Sequence, residues 1–353
     1  MNRTWMIYGA NGYTGNLIAE LAAKRGLTPI LAGRNKEKIQ ALAKKLQLES
    51  RVFPLEQLDQ LTAGLSGVDL VLHCAGPFSK TSSLMIEGCL KVGTHYLDIT
   101  GEINVFEHVH SNEVAERAIR ANIVLCSGVG FDVIPTDCVA LKLKQLLPSA
   151  THLSLGFDSD SGISRGTFKT MIQGLASGSA QRQDGVITEF PLGTKSRIID
   201  FGRGSKTAVA IPWGDVSTAF YSTGIPNINT WIPMSPTKMH ATRVLNKFKP
   251  VIASSIIQRF LQKWVDTKVS GPSLSSRQNS PAFIWGEAHN PKGEKITVRI
   301  KTANVYTLTI YGALEVVTRL LNQSVPSGSY TPSSLFGPEL IESLPESEAF
   351  QIS

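Results

Sequence analysis

The sequence predicts an α/β protein: an N-terminal Rossmann domain on a doubly wound parallel sheet, followed by an α+β domain with a mostly antiparallel sheet. Three observations support this fold class. A glycine-rich loop follows the first apolar run, short apolar runs then alternate with helical patterns up to about Ser127, and the pattern changes after Thr136. At 353 residues the chain is long enough for two domains, each with its own core.

The N-terminal part contains six short apolar runs separated by segments with helical spacing. Strands that alternate with helices are typical of a parallel sheet covered on both faces. Residues 14–24 and 36–46 place apolar side chains three and four positions apart, with lysines on the other side, as expected for covering helices. The predicted strands are Thr4–Tyr8, Thr28–Ala32, Arg51–Pro54, Asp69–Cys74, His95–Asp98 and Ile123–Cys126.

A different pattern follows the sixth strand. Residues 136–147 and 167–177 have helical spacing, whereas 185–211 and 282–303 alternate apolar and polar residues as antiparallel strands do. We therefore predict a Rossmann domain at 1–135 and an α+β substrate and oligomerisation domain at 136–325. Residues 326–353 are predicted to form a C-terminal tail that packs back on the domains.

Composition excludes several classes of protein. With 42% hydrophobic and 18% charged residues, the chain has the composition of a soluble globular protein. No apolar stretch reaches the ~18 residues of a membrane-spanning helix, and the N-terminus lacks a signal-peptide pattern, so we predict a cytoplasmic protein. The four cysteines form no CxxC pair, which predicts no metal site. The net charge of +7 is scattered, which favours an anionic small ligand over nucleic acid.

The clearest motif is the glycine loop YGANGYTG. Gly9 allows a tight turn, Gly12 lets the backbone approach a pyrophosphate, and Gly15 permits close packing of helix on strand. The N–H groups at the helix start then hold the anion. The alternative is a set of turn glycines without a ligand. The predicted cofactor-binding residues of this loop are Gly9, Ala10, Asn11, Gly12, Tyr13, Thr14 and Gly15.

The end of the second predicted strand indicates which dinucleotide binds. NAD enzymes usually place an acidic residue there to bind the ribose hydroxyls, but this chain has Arg34 followed by Asn35. A guanidinium pairs with a 2′-phosphate through charge-assisted hydrogen bonds, so the sequence favours NADP(H). The alternative for Arg34 is a solvated surface charge.

The fourth predicted strand ends in a turn of small residues. Ligands of open α/β sheets bind at the carboxyl ends of the strands, so this turn is expected to line the cofactor ribose and nicotinamide. An ordinary Gly-Pro turn is the alternative, and the preceding His73 is expected to be structural. The predicted contacts are Ala75, Gly76, Pro77 and Phe78.

Four residues are candidates for acid–base chemistry. Asp132 and Asp137 flank Pro135 just after the sixth strand, and Asp132 is the stronger candidate because Asp137 could instead cap the following helix. Tyr96 and Glu102 belong to the block YLDITGE at the end of the fifth strand, where a hydroxyl or a carboxyl with a raised pKa could supply a proton. Glu102 could equally lie in the first turn of a helix.

Two further segments are candidates for binding other molecules. Arg165, Gly166 and Thr167 lie between a glycine-serine loop and a predicted helix, where they could hold a phosphate or carboxylate of the substrate or simply form a surface loop. The apolar stretch 250–261 could make peripheral membrane contact, although a core helix is the stronger interpretation. A homodimer through sheet edges of the second domain is also possible.

Several blocks resemble the saccharopine dehydrogenase-like oxidoreductases: YGANGYTG, LAGRN, CAGPF, YLDITGE and GFDVIPTD, in that order. The later blocks SRGTFKT, PWGDVSTAFYSTGIPN, FIWGEA and GSYTPSSLFGPELI look like the trans-acting enoyl reductases, whose members act on polyketide or lipid-type enoyl thioesters. The resemblance implies an NADPH-dependent reductase of an activated C=C bond in an acyl or lipid-like substrate. Two alternatives stay open: an imine or ketone reductase, and an NADPH-binding protein without turnover.

Overall fold

The computed structural model describes residues 3–160, 178–246, 254, 257 and 280–353. The chain divides into two compact units. The first comprises Met1–Ile134 and Tyr306–Phe336, and the second comprises Pro135–Val305 and Gly337–Ser353. Each unit is built on its own sheet.

The described strands are β1 (Trp5–Tyr8), β2 (Ile30–Gly33), β3 (Ser50–Val52), β4 (Leu70–His73), β5 (His95–Asp98), β6 (Val124–Cys126), β7 (His152–Ser159), β8 (Ser179–Gln183), β9 (Val186–Phe190), β10 (Ser196–Asp200), β11 (Ser205–Ile211), β12 (Asn227–Pro233), β13 (Ala282–His289), β14 (Lys295–Thr302), β15 (Gly328–Tyr330) and β16 (Gln351–Ile352). The described helices are α1 (Tyr13–Lys24), α2 (Lys36–Leu46), α3 (Leu58–Leu65), α4 (Phe78–Val92), α5 (Ile103–Val109), α6 (Asn112–Arg120), α7 (Ile134–Leu146), α8 (Asp215–Thr223), α9 (Pro236–Leu245), α10 (Val305–Asn322) and α11 (Pro332–Phe336).

The first unit contains a parallel sheet in the order β15-β6-β5-β4-β1-β2-β3. All six predicted strands are present, so the Rossmann fold is confirmed. Strands such as β1 and β4 are buried along their whole length, because helices cover both faces of a parallel sheet. Since the strands run in one direction, their carboxyl ends, with the predicted cofactor residues, lie at one edge.

The seventh strand of this sheet differs from the sequence prediction. The sequence predicts that 136–325 form the second domain and 326–353 a tail, but β15 and all of α10 after Val305 belong to the first unit. Gly328–Tyr330 pairs in parallel with Val124–Cys126, and an Arg3 guanidinium N–H donates to the carbonyl of Leu320 near the end of α10 (2.8 Å). Three residues, GSY, are too few to give a strand pattern, and their partner is far away in sequence.

The second unit contains the predicted, mostly antiparallel sheet. Its strand order is β10-β11-β12-β7-β13-β14-β16, with the β8–β9 pair attached to β12. Among the described strands of this second sheet, β7 and β12 pair in parallel, and the other pairs are antiparallel. Gly286 of β13 lies against Val139 and Leu143 of α7, so closely that a Cβ atom there would meet Val139 at 2.4 Å. The contact shows that α7 covers one face of this sheet.

Candidate cofactor and catalytic site

The glycine loop connects β1 to α1 through close backbone contacts. Gly9 has a φ of +84°, and its N–H donates to the carbonyl of Ala32 in β2 (2.8 Å). A Cβ atom on Gly9 would lie 2.8 Å from the nitrogen of Ala75, and one on Gly15 would lie 2.5 Å from the oxygen of Gly9. Side chains at these two positions would therefore displace the loop, as the motif predicts.

The start of α1 suits an anion. Gly12 is the N-cap residue in an extended conformation, no described side chain caps the helix, and its first turn carries no acidic residue. Backbone N–H groups at an uncapped helix start, together with the helix dipole, favour a phosphate. Tyr13 packs edge-on against Tyr306 of α10, with ring centroids 5.5 Å apart, and this contact supports the loop.

The end of β2 carries an exposed cation. Arg34 has neither a hydrogen bond nor an ion pair in the part of the chain that the structure describes, so its guanidinium is available to a ligand. Asn35 has a different role, because its Oδ1 accepts a hydrogen bond from the backbone N–H of Lys38 (2.9 Å) and caps α2. Burial and the nearby Glu56 carboxylate raise the pKa of Tyr8 to about 12, although the positive charge of Arg34 lowers this pKa in part.

The loop after β4 is held by Glu102. The Gly76–Pro77 peptide bond is cis, and α4 begins at Phe78. The carboxylate of Glu102 accepts hydrogen bonds from the backbone N–H of Phe78 (2.8 Å) and of Ser79 (2.9 Å). Both oxygens thus cap α4, so Glu102 positions this loop, and its geometry favours that role over the proton donation that we considered.

A buried carboxylate ties together the loops after β5 and β6. Asp98 accepts hydrogen bonds from the Tyr96 hydroxyl (2.7 Å), the Thr100 N–H (3.0 Å), the Ser127 hydroxyl (3.0 Å) and the Gly128 N–H (2.9 Å). Burial and Asp98 raise the pKa of the Tyr96 hydroxyl well above its usual range. Tyr96 is fully buried, and its hydroxyl donates to Asp98. The contacts favour a structural role for Tyr96 over the catalytic one.

Asp132 is the candidate acid that the structure leaves available. Its side chain is half-buried against Gly101, where an added Cβ atom would lie 2.9 Å from Oδ2. Its carboxyl has no hydrogen-bond partner among the described residues. Burial raises the pKa of Asp132 to about 6, which keeps a fraction of this carboxyl protonated near neutral pH. The loop is fixed by the Phe131 N–H, which donates to the Thr309 hydroxyl of α10 (3.1 Å).

Asp137 lies in the first turn of α7, in the second unit. It is fully buried, and its Oδ1 accepts a hydrogen bond from the hydroxyl of Ser222 in α8. A carboxylate in the first turn also stabilises the helix dipole. These contacts match the structural alternative given for Asp137.

Other predicted sites fall partly or wholly outside the described residues. Arg165, Gly166 and Thr167 lie outside them, and so does most of the apolar stretch 250–261. Within the described part, no group of three or more His, Cys, Asp or Glu side chains could hold a metal ion. None of the described helices is long and apolar enough to cross a membrane.

Sequence comparison identifies the first unit. Residues 5–126 match the family model of the saccharopine dehydrogenase NADP binding domain. The first unit is therefore similar to the NADP-binding domain of the saccharopine dehydrogenases. This match confirms the resemblance carried by the glycine, LAGRN and CAGPF blocks, all of which lie inside the matched range.

Similar proteins extend this relationship. A saccharopine dehydrogenase-like oxidoreductase from Rattus norvegicus is 27% identical over 203 residues, 50% of this chain and 47% of the relative. A trans-acting enoyl reductase from Mycobacterium bovis is 32% identical over 148 residues, 39% of this chain and 34% of the relative. The chain thus spans half or less of these relatives. Saccharopine dehydrogenase (L-Glu forming) from Saccharomyces cerevisiae superposes with a TM-score of 0.69 at 10% identity, covering 99% of this chain and all of that one, and so shares the fold.

His73, at the end of β4, is fully buried, as its structural interpretation requires. Its Nε2 lies 3.0 Å from the hydroxyl oxygen of Thr81. Burial lowers the pKa of His73 to about 3, so the ring is neutral in the folded protein.

This burial predicts a pH dependence of stability. Below the pKa of about 6.5 that a histidine has in the unfolded chain, the unfolded state binds a proton that the folded state does not, so stability is lost as pH falls. Between pH 7 and pH 5 His73 should lower the free energy of unfolding by about 2 kcal/mol. Urea denaturation at pH 7 and pH 5 measures the free energy of unfolding of both proteins. Its decrease between these pH values should be about 2 kcal/mol smaller in His73→Phe than in the wild type. An equal drop in both proteins would contradict the prediction.

Proposed function

We propose that this protein is an NADPH-dependent oxidoreductase that reduces the activated C=C bond of an enoyl thioester or a related lipid or polyketide-type substrate. The observation that carries the proposal is the combination of an uncapped start of α1, which suits a phosphate, with an exposed Arg34 at the end of β2 that has no partner among the described residues. The tight packing of the loop at Gly9 and Gly15 supports a backbone that would approach a pyrophosphate, and Arg34 would supply the positive charge for a 2′-phosphate.

The choice between NADPH and NADH tests the role of Arg34. We expect Arg34→Asp to weaken NADPH binding by at least ~1.5 kcal/mol, the low end for a lost charged hydrogen bond, while NADH binding is spared. Isothermal titration calorimetry measures both dissociation constants. Lys36→Asp is the matched control, since it makes the same charge change at an exposed position nearby and should leave the NADPH affinity within about twofold. If Arg34→Asp weakened the binding of NADPH and of NADH equally, Arg34 would not recognise the 2′-phosphate.

Reduction of an enoyl thioester requires a hydride at one alkene carbon and a proton at the other. NADPH supplies the hydride when it is bound. We assign the proton to Asp132, which follows β6 in the parallel sheet and whose carboxyl has no hydrogen-bond partner among the described residues. Its raised pKa suits a general acid, because catalysis is most efficient when the pKa of the acid lies near the working pH.

Proton donation by Asp132 predicts the direction in which the rate of the chemical step changes with pH. The protonated form is lost as pH rises through about 6, so the chemical step should slow above that value. Asp132→Asn should lower kcat by about 10²-fold and abolish this limb of the pH profile, with the NADPH affinity unchanged. Single-turnover NADPH oxidation at pH 5 to 8 measures both effects. An Asn variant with wild-type kcat would exclude Asp132 as the acid.

The substrate class rests on the enoyl reductase-like blocks and on the similarity to the Mycobacterium bovis trans-acting enoyl reductase. We expect enoyl thioesters of at least one chain length to accelerate NADPH oxidation above background. Dependence on ammonia or an amine, with keto acids as acceptors, would instead favour an imine or ketone reductase. Tight NADPH binding without turnover of any acceptor would favour a binding protein.

The remaining assignments extend this proposal. Arg165, Gly166 and Thr167 are proposed to hold an anionic group of the substrate, and a homodimer is proposed for the second unit. The cytoplasmic location remains a prediction.

A further inference from the structure

The hydroxyl of Thr81 in α4 lies within hydrogen-bond distance of three atoms. Its oxygen is 2.7 Å from the carbonyl oxygen of Ala75, 3.2 Å from that of Pro77, and 3.0 Å from Nε2 of His73. A hydroxyl has one proton, and a carbonyl can only accept, so the Thr81 proton goes to the loop carbonyls. His73 must then donate to Thr81 from Nε2–H, which fixes the tautomer of the ring.

Within the part of the chain that the structure describes, His73 has no other polar contact. Its Nδ1 is buried and unpaired, and the ring is surrounded by Tyr8, Phe78 and Tyr96 at centroid distances of 5.7, 5.4 and 6.2 Å. An unpaired buried acceptor costs free energy, so burial of the ring does not by itself explain a histidine here. The interaction in which the imidazole takes part is the hydrogen bond that orients Thr81.

The carbonyls that Thr81 holds belong to the loop beside the glycine motif. The nitrogen of Ala75 lies 2.8 Å from where a Cβ of Gly9 would stand, so the two loops are in direct backbone contact. A dinucleotide across this sheet edge has its adenine side near the end of β2, its pyrophosphate at α1, and its nicotinamide side toward the loop after β4. The loop held by Thr81 would therefore face the nicotinamide half of a bound cofactor.

We propose that Thr81, oriented by His73, is a positioning residue for the nicotinamide half of the cofactor. It sets the carbonyls of Ala75 and Pro77, whereas Arg34 and the glycine loop bind the adenine and phosphate half. The inference rests on NADPH binding in the proposed function but not on the identity of the reduced substrate. Because the pKa of His73 is lowered to about 3, this arrangement does not titrate at working pH.

Two ligands test the two halves of the cofactor site separately. Adenosine 2′,5′-bisphosphate contains the adenine half alone, and NADPH contains both. In Thr81→Val the dissociation constant of NADPH should rise about fivefold, equivalent to about 1 kcal/mol for one hydrogen bond, while that of the bisphosphate stays within twofold. Thr81→Ser keeps the hydroxyl and should restore NADPH binding. Calorimetric titration of each variant with both ligands measures the split.

Thr62→Val is the matched control. Thr62 also lies in a helix and donates its hydroxyl to a backbone carbonyl, that of Asp59 (3.1 Å), but this carbonyl belongs to α3 and not to the loop after β4. This variant should bind both ligands like the wild type. His73→Phe is a second variant in case Thr81→Val fails to fold, and it should also weaken NADPH selectively.

Equal weakening of both ligands, unchanged NADPH binding, or no rescue by Thr81→Ser would overturn the positioning role. These results do not depend on turnover. A wild-type protein that binds NADPH but reduces no acceptor loses the proposed reductase function while the positioning role stands. If the wild type is an active reductase but Thr81→Val does not weaken NADPH binding selectively over that of the bisphosphate, the positioning role alone fails. Absence of NADPH binding by the wild type would overturn both.

Discussion

The buried carboxylate of Asp98 is the interaction on which the carboxyl edge of the first sheet depends. Burial raises its pKa, whereas hydrogen bonds from Thr100 and Gly128, among others, lower it. A buried carboxyl is tolerated only when such donors replace water. Because these donors come from the loops after two neighbouring strands, one side chain fixes the separation of both loops and thereby the places of Glu102 and Asp132.

Further contacts with backbone groups fix the other loops at the carboxyl edge of this sheet. Glu102 extends from the first of these loops to the start of α4, and Thr81, one turn into α4, holds the loop after β4. That loop lies directly against Gly9. Three of the side chains involved, Asp98, Glu102 and Thr81, act on backbone groups, so the edge is organised before any cofactor arrives. Preorganisation of this kind lowers the entropy lost on binding.

The sequence was most informative where the signal is local. The six strands and the glycine loop follow from periodicity and from glycine spacing within a few residues, and the structure has them where the patterns place them. The parts that escaped prediction depend on distant partners. Nothing near Glu102 indicates that it caps α4. The motif GFDVIPTD does not reveal that Asp137 contacts Ser222, whereas Asp132 has no partner among the described residues. Asp98, which adjoins Tyr96 in the same motif, was likewise recognisable as a network centre only once its donors were seen.

The parallel sheet is completed by β15, which follows almost the entire second unit in the chain. During synthesis the first six strands leave the ribosome long before their last neighbour, so β6 is an uncovered sheet edge until Gly328–Tyr330 emerges. Exposed edges pair readily with other chains. The order of translation therefore makes the N-terminal segment a nascent intermediate at risk of aggregation, and a gene fragment that ends after β6 would encode an incomplete sheet.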